Sequence, residues 1–453
     1  MKFFFPDSQD FVDPSFDFIS ERRAGGRLRL RDDRYAHEVF ETVPFDGLLV
    51  SKAIVDGVDE SGKTAKYSLA QRHRLLRVGV REFFRLDDRP NASRLVTMGD
   101  CGAFSYVGQP APPFSVDEVI DFYEACGFDL GVSVDHVILG FDAGLDDTFP
   151  GMATVSSEFV RRQEITLELA SEFRRRHRAR KCGFEALGVA QGWSPGSYAD
   201  SVRQLQRMGY RRIAVGGMVP LKTPDILMVL DAVNVVRRPD TVLHLLGVTR
   251  TDQIEAFDRY GVSSFDTTSP FLRAFKDAKQ NYFTPTGSYT ALRIPQVEGN
   301  RPLEKLIRSG RVDQRRARAL EQACLTSLRA FHANGGPGVE DVLGLLLEYE
   351  ELTGGGSAGR STRAAAYRRT LTDRPWTNCS CEVCATIGVE VIIFRGSERN
   401  KRRGFHNLHV LYQRLHQELR QVSRAKGMAR ISTGAGGNQT AKRGAAGRRQ
   451  PTR

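Results

Sequence analysis

Short apolar runs alternate with amphipathic segments through the first two-thirds of the chain. Seven of the runs are GLLVSKAIV (47–55), LVTMG (95–99), LGVSV (130–134), EALGVA (185–190), RIAVGG (212–217), VLHLLG (242–247) and VSSF (262–265). Each is brief, apolar and rich in β-branched residues, the pattern of a strand buried on both faces. The segments between them carry helix signals. SVDE at 115–118 fits a capping box, and Val116, Val119, Ile120 and Tyr123 then share one face. Tyr198, Val202, Leu205 and Met208 form a second stripe that stops at Gly209, and a third segment runs from Asp252 through Ile254 and Phe257 to Gly261. Seven βα-like units in succession predict a parallel α/β fold, and a (β/α)8 barrel of the TIM type fits them better than an open sheet. No GxGxxG or GxxxxGK[ST] follows any of these strands, which argues against a nucleotide cofactor.

The rhythm changes near residue 300. Residues 301–349 read as helical, broken by NGGPG at 334–338, and GGGSAG at 354–359 reads as a flexible linker. A cysteine-rich stretch, an apolar strand-like run VEVIIF (389–394) and a helix over 407–421 follow. The expected division is a barrel with an N-terminal extension over 1–300, a helical insertion and linker over 301–372, a metal-binding subdomain over 373–421 and a disordered basic tail over 422–453.

Composition changes this picture little. An apolar share of 40% with 26% charged residues is ordinary for a folded protein, and no apolar run reaches the roughly 18 residues of a membrane span. The start, MKFFFPDSQD, breaks at Pro6 and Asp7 where a signal peptide needs a longer apolar stretch, so a cytoplasmic location is expected. An odd cysteine count argues against a disulfide framework. The net charge of +12 favours a polyanionic partner. Much of the excess lies beyond residue 419, where no acid occurs; a solubilising end and a phosphate anchor are both open readings of that segment.

The strand ends carry the candidate chemistry. LVTMG delivers Asp100, Cys101 and Gly102; LGVSV delivers Asp135; EALGVA delivers Gln191; RIAV delivers Gly216 and Gly217; VSSF delivers Asp266. An isolated Asp after a strand is usually a helix cap. In a barrel of this type, however, catalytic groups gather at the C-terminal strand ends, so all of these face one mouth. Two carboxylates flanking an anomeric carbon are what a retaining glycosyl transfer requires. An Asp, a Gln and bare glycine N–H groups together supply acceptors and donors for the edge of a purine-like base.

A second concentration is WTNCSCEVC at 376–384, which places three of the seven cysteines within six positions. Clustered thiols suit zinc, and a reduced, metal-free cluster is the alternative.

The ordered set GDCGAF (99–104), VAQG (189–192), AVGGM (214–218), SSFDTTSP (263–270) and CSCEVC with HNL (406–408) resembles the tRNA-guanine transglycosylases. The opening FFFPDSQDFVDP, the stretches RDDRYAHE and LLVSKAIVDG, and FDTTSP are most similar to the DpdA branch, associated with placing a 7-deazaguanine base into DNA rather than tRNA. The resemblance implies Asp266 as nucleophile and Asp100 as general acid/base. It implies Asp135, Gln191, Gly216 and Gly217 as base-recognition positions, with Cys101 and Phe104 beside them. It implies a structural zinc on Cys379, Cys381, Cys384 and His406, with His409 the weaker fourth choice. The incoming base implied is 7-cyano-7-deazaguanine (preQ0), and partners that open the DNA duplex are compatible with it. Arg273 and Lys276, just past the nucleophile, are expected to hold the nucleic-acid backbone, with plain solvation the alternative reading. Two departures stand out. The family's Ser-Gly-Gly after the acid/base Asp is here Cys101-Gly102-Ala103, and its Pro-Thr-Arg stretch after the nucleophile is replaced by TTSPFLRAFKD. The same chemistry on tRNA, and a non-catalytic partner subunit, are the competing functions.

Overall fold

In the computed structural model, residues 1–59, 64–146, 154–248, 250–333, 336–353 and 360–435 are described. Eight parallel strands close into a barrel: β1 (Lys2–Pro6), β2 (Gly47–Ser51), β3 (Val96–Asp100), β4 (Leu130–Val132), β5 (Glu185–Ala190), β6 (Arg212–Val215), β7 (Val242–Leu245) and β8 (Val262–Asp266). Each strand pairs with its sequence neighbours, and β1 closes the ring between β8 and β2. The fold class read from the sequence is therefore the one observed. Seven of the eight strands coincide with the predicted runs, with the first shortened: its pleat ends at Ser51, and Lys52–Asp56 is helical.

The eighth strand is the opening KFFFP. Phe4 joins Leu49, Met98, Leu130, Val132, Leu187, Val189 and Ala214 inside the barrel, while Phe3 and Phe5 pack outward beneath the helices. That alternation follows from the two-residue period of a strand. The ring of Phe3 stacks on Phe265 of β8 at 5.4 Å, so closure is stabilised by side chains as well as by the backbone ladder.

Helices α1 (Leu69–Phe83), α2 (Val116–Cys126), α3 (Ser157–Arg180), α4 (Pro195–Arg207), α5 (Thr223–Val236), α6 (Ile254–Arg259) and α7 (Ser269–Lys276) follow the barrel strands in turn. The capping box at Ser115 forms: its Oγ accepts from the Glu118 N–H, and the Glu118 carboxylate accepts from the Ser115 N–H. The helices read as ending at Gly209 and Gly261 do stop there, each glycine at positive φ.

The insertion holds α8 (Arg301–Arg308), α9 (Gln314–His332), α10 (Val339–Leu352) and α11 (Arg360–Asp373); the predicted linker at 354–359 lies outside the described residues, as do Asn334 and Gly335. Beyond it come α12 (Glu382–Ile387) and a long helix, α13 (Gly396–Ala435). Two expectations differ here. VEVIIF is mainly a 3-10 turn over Gly388–Ile392, with Ile393–Phe394 pairing alongside Leu292–Arg293; an apolar run alone does not separate a strand from a buried turn of helix. The last helix begins eleven residues earlier than 407 and continues past 422 to Ala435, so the first part of the basic segment is helical. Residues 436–453 lie outside the described residues.

Buried arginines in α13, with Arg395 just before it, hold this helix to the rest of the chain. Arg399 bonds Glu390 at 2.7 Å, Arg395 bonds Glu21 at 2.6 Å, and the Arg403 guanidinium donates to the carbonyls of Val391, Ile393 and Ala274. Among the described residues no helix is long and apolar enough to cross a membrane.

The closing role of β1 predicts an asymmetry that denaturant unfolding can measure. Phe3→Ala, at a fully buried position, should cost about 3–5 kcal/mol. Leu28→Ala, at a site 54% exposed, should stay within about 0.5 kcal/mol.

Candidate active site

A cavity of about 1080 Å³ opens at the C-terminal ends of the strands. Its lining includes Asp100, Phe104, Asp135, Gln191, Gly216, Gly217, Asp266, Arg273 and Lys276, so nine of the predicted residues meet in one place.

Asp100 is the last residue of β3, in register with Ser51 at the end of β2. Its Oδ2 accepts from Ser51 Oγ at 2.7 Å and from the Gly102 N–H at 2.9 Å. The chain turns through Gly102 at φ +85°, and a Cβ there would lie 2.7 Å from that of Ala53, so only glycine lets the backbone donor approach. Enclosure in the barrel mouth raises the Asp100 pKa, and the charge of Asp266 adds to it; the bonds from Ser51 and Gly102 oppose the rise.

Asp266 ends β8 and sits in different surroundings. Its Oδ1 accepts from the Gly247 N–H at 3.0 Å and lies 3.2 Å from His244 Nε2. Among the described residues its Oδ2 has no hydrogen-bond partner. Enclosure thus biases Asp100 toward holding a proton, while Asp266 is held through one oxygen by His244 and the Gly247 N–H.

Asp135 lies deeper. Its Oδ2 accepts from Gln191 Nε2 at 2.7 Å, and its Oδ1 accepts from the Cys101 thiol at 3.1 Å. Gln191 is fixed in turn, its Oε1 accepting from the Ile138 N–H at 3.2 Å. Burial, then the charge of Asp100, pushes Asp135 up to about 7. Gly216 must be bare, because a Cβ there would come 2.3 Å from Gln191 Nε2.

Cys101 does not reach the cavity. It is completely buried, with its thiol held between Asp135 and the Tyr106 hydroxyl, so it supports Asp135 from behind and is not placed to touch a ligand. Burial pushes its pKa up and keeps it a thiol able to donate. Phe104 is half exposed on the cavity rim, which rules out the core role that a phenylalanine there would otherwise have.

Arg273 and Lys276 both line the mouth from α7 and are exposed. The sequence reading missed two companions, Lys279 and Arg414, which come from a loop and from α13. Arg273 and Arg414 lie over the Phe283 ring at 5.8 and 5.3 Å. This cationic wall suits phosphate groups.

Cys379, Cys381, Cys384 and His406 bring their ligand atoms within 4.8 Å of one another. The three sulfurs lie 3.6, 3.4 and 3.4 Å from His406 Nδ1. A tetrahedral zinc with standard Zn–S and Zn–N bonds requires roughly 3.5 Å between such donors. His406 Nε2 donates to the Phe283 carbonyl at 2.8 Å, which leaves Nδ1 as the lone-pair atom facing the sulfurs. The four residues therefore fit a metal ion. His409, the other histidine considered, instead stacks on Phe40 at 5.2 Å.

His244 and Ser51 were not singled out from the sequence. His244 interrupts the apolar run VLHLL, and a polar residue on the inner face of a barrel strand was the available signal.

No family model matches the chain. The chain is similar to a curated DNA-guanine transglycosylase of Salmonella montevideo, with 49% identity over 420 residues covering 92% of this chain and 97% of that protein.

The raised pKa of Asp135 has a consequence for stability. The folded chain keeps that proton up to about pH 7, whereas the unfolded chain releases it near 4. The unfolded state therefore binds fewer protons in this window, and stability falls as pH rises through it. Denaturation at about pH 5 and about pH 8 should show a larger loss for the wild type than for Asp135→Asn; equal losses would contradict the assignment.

Proposed function

The chain belongs to the DNA-guanine transglycosylases of the tRNA-guanine transglycosylase superfamily, and we propose that it exchanges guanine in DNA by double displacement, with Asp266 as nucleophile and Asp100 as general acid/base. It is a pentosyltransferase. The observation that carries the roles is the contrast between two carboxyls lining one cavity: Asp100 is pushed toward its protonated form, while Asp266 accepts two donors on one oxygen.

In the first half, Asp266 Oδ2 attacks C1′ of a deoxyguanosine unit. The C1′–N9 bond breaks, its electron pair leaves with guanine, and Asp100 supplies the proton that makes the departing base neutral. The sugar is now esterified to Asp266. In the second half the incoming base gives its N9 proton to the Asp100 carboxylate as N9 attacks C1′, and the ester bond breaks to restore the Asp266 anion. Two inversions retain the configuration, and one glycosidic bond replaces another with no external energy source.

Asp135, Gln191 and the backbone of Gly216 and Gly217 recognise the base edge. Asp135 accepts from the N1–H and 2-amino groups, and the glycine N–H groups donate to O6. The incoming base in this reading is preQ0. Phe104 stacks on the base at the rim. The target must leave its helical stack to enter a cavity enclosed by the barrel strands, so single-stranded or locally opened DNA is the form that reacts. Arg273, Lys276, Lys279 and Arg414 hold the flanking phosphates.

The metal is zinc. A closed Cys3His set leaves no open position, so its contribution is architectural. Asn407, next to His406, donates to the carbonyls of Pro270 and Asn281 and accepts from the Phe283 N–H. The metal subdomain thereby anchors the turn that follows Asp266.

Incubation with labelled guanine and with preQ0, using separate DNA and tRNA, tests the reading: label should enter and leave DNA, and entry into tRNA alone would refute it. Asp266→Asn should abolish the trapped protein–DNA adduct. Elemental analysis of purified protein should find about one zinc per chain, and Cys381→Ser should bring that content down sharply.

A further inference from the structure

His244 lies in the middle of β7 and is completely buried. An apolar side chain would fill this place without a desolvation cost, whereas a buried imidazole needs partners for both nitrogens. Both partners come from the adjacent strand β8. Nδ1 is 2.9 Å from Ser264 Oγ, and Nε2 is 3.2 Å from Asp266 Oδ1. A carboxylate only accepts, so Nε2 carries the hydrogen, and Nδ1 meets the Ser264 hydroxyl, which can donate or accept. The Asp266 carboxylate thus fixes the hydrogen on Nε2, and Ser264 anchors the ring through Nδ1. Phe4 meets the imidazole edge-on at 5.7 Å and limits its tilt.

We propose that His244, set by Ser264, is a positioning residue for the nucleophile; this rests on the reading of Asp266 given above. His244 and the Gly247 N–H both engage Oδ1, fixing the plane of the carboxylate and leaving Oδ2 as the attacking atom. Once Oδ2 bonds to C1′, Oδ1 is the carbonyl oxygen of an ester and a weaker acceptor. When the incoming base displaces the ester, full negative charge returns to the carboxylate, and two pre-placed donors are waiting for it. The donor thus strengthens as the leaving group forms, which is the condition for it to raise the rate and not merely to hold the fold.

Steady-state exchange on single-stranded DNA, with adduct trapping, separates this from a structural role. His244→Phe should lower kcat by about 100-fold while the KM for DNA stays within about threefold. His244→Gln, whose amide nitrogen can still donate, should recover at least about tenfold of that loss. Ser264→Ala keeps the imidazole but removes its anchor on Nδ1 and should lower kcat by about tenfold; it carries the test if the phenylalanine variant fails to fold. An undiminished kcat in His244→Phe or in Ser264→Ala, a change confined to KM, or a glutamine variant no better than phenylalanine would overturn the inference. Wild-type exchange is measured alongside: its absence strikes the underlying reading, whereas its presence with undiminished variants strikes this inference alone.

Discussion

Closure of the barrel by its first strand is the constraint on which the site depends. β1 is hydrogen-bonded to β8 on one side and to β2 on the other, with Phe4 in register with both Asp266 and Gly47. Asp266 ends β8, and Ser51, which holds Asp100, ends β2. The two acids are some 166 residues apart in sequence, and only the closed ring turns their strand ends toward a common cavity. Three consecutive phenylalanines achieve this because a strand sends alternate side chains to opposite faces: one into the barrel core, two beneath the helices.

Within that frame the chemistry is a matter of unequal surroundings. Asp100 is enclosed beside another acid, and both influences favour its proton. Asp266 receives two donors on a single oxygen. The division of tasks proposed for the two acids follows from where the backbone turns and which strand lies adjacent, without any unusual residue at the proposed reacting centre. The Cys3His cluster and its surroundings contribute at a distance. His406 and Asn407 grip Phe283 from either side of its peptide, Asn407 also ties down Pro270, and Arg273 and Arg414 rest on the Phe283 ring. The Cys3His cluster, the turn after Asp266 and the cationic wall of the mouth are therefore one connected structure.

Much of this was legible in the sequence because buried parallel strands announce themselves as short β-branched runs, and the residue after each run is by geometry at the mouth. The first strand was harder to see. KFFFP lies at the very start of the sequence, where an apolar run invites comparison with a leader segment, and no preceding turn marks it as a strand. Cys101 stands where the resembled family has a serine, which is what points it at the ligand; its side chain instead turns inward to Asp135, since adjacent residues leaving a strand point in different directions. His244 sits within a run otherwise apolar, where its polarity reads as noise until the strand is known to lie beside the one that ends in Asp266. Lys279 and Arg414 reach the mouth only through tertiary packing, so no local pattern marks them. The three cysteines were legible from their clustering, and the resemblance supplied His406, which the fold brings to within 4.8 Å of them.

The most direct measurement is peptide mapping of the trapped covalent intermediate by mass spectrometry after reaction with a guanine-containing DNA strand. The added mass of a nucleotide sugar should fall on the peptide that contains Asp266, and on its carboxyl group. A modified peptide lying elsewhere, or efficient exchange through which no linked species can be found, would contradict the account.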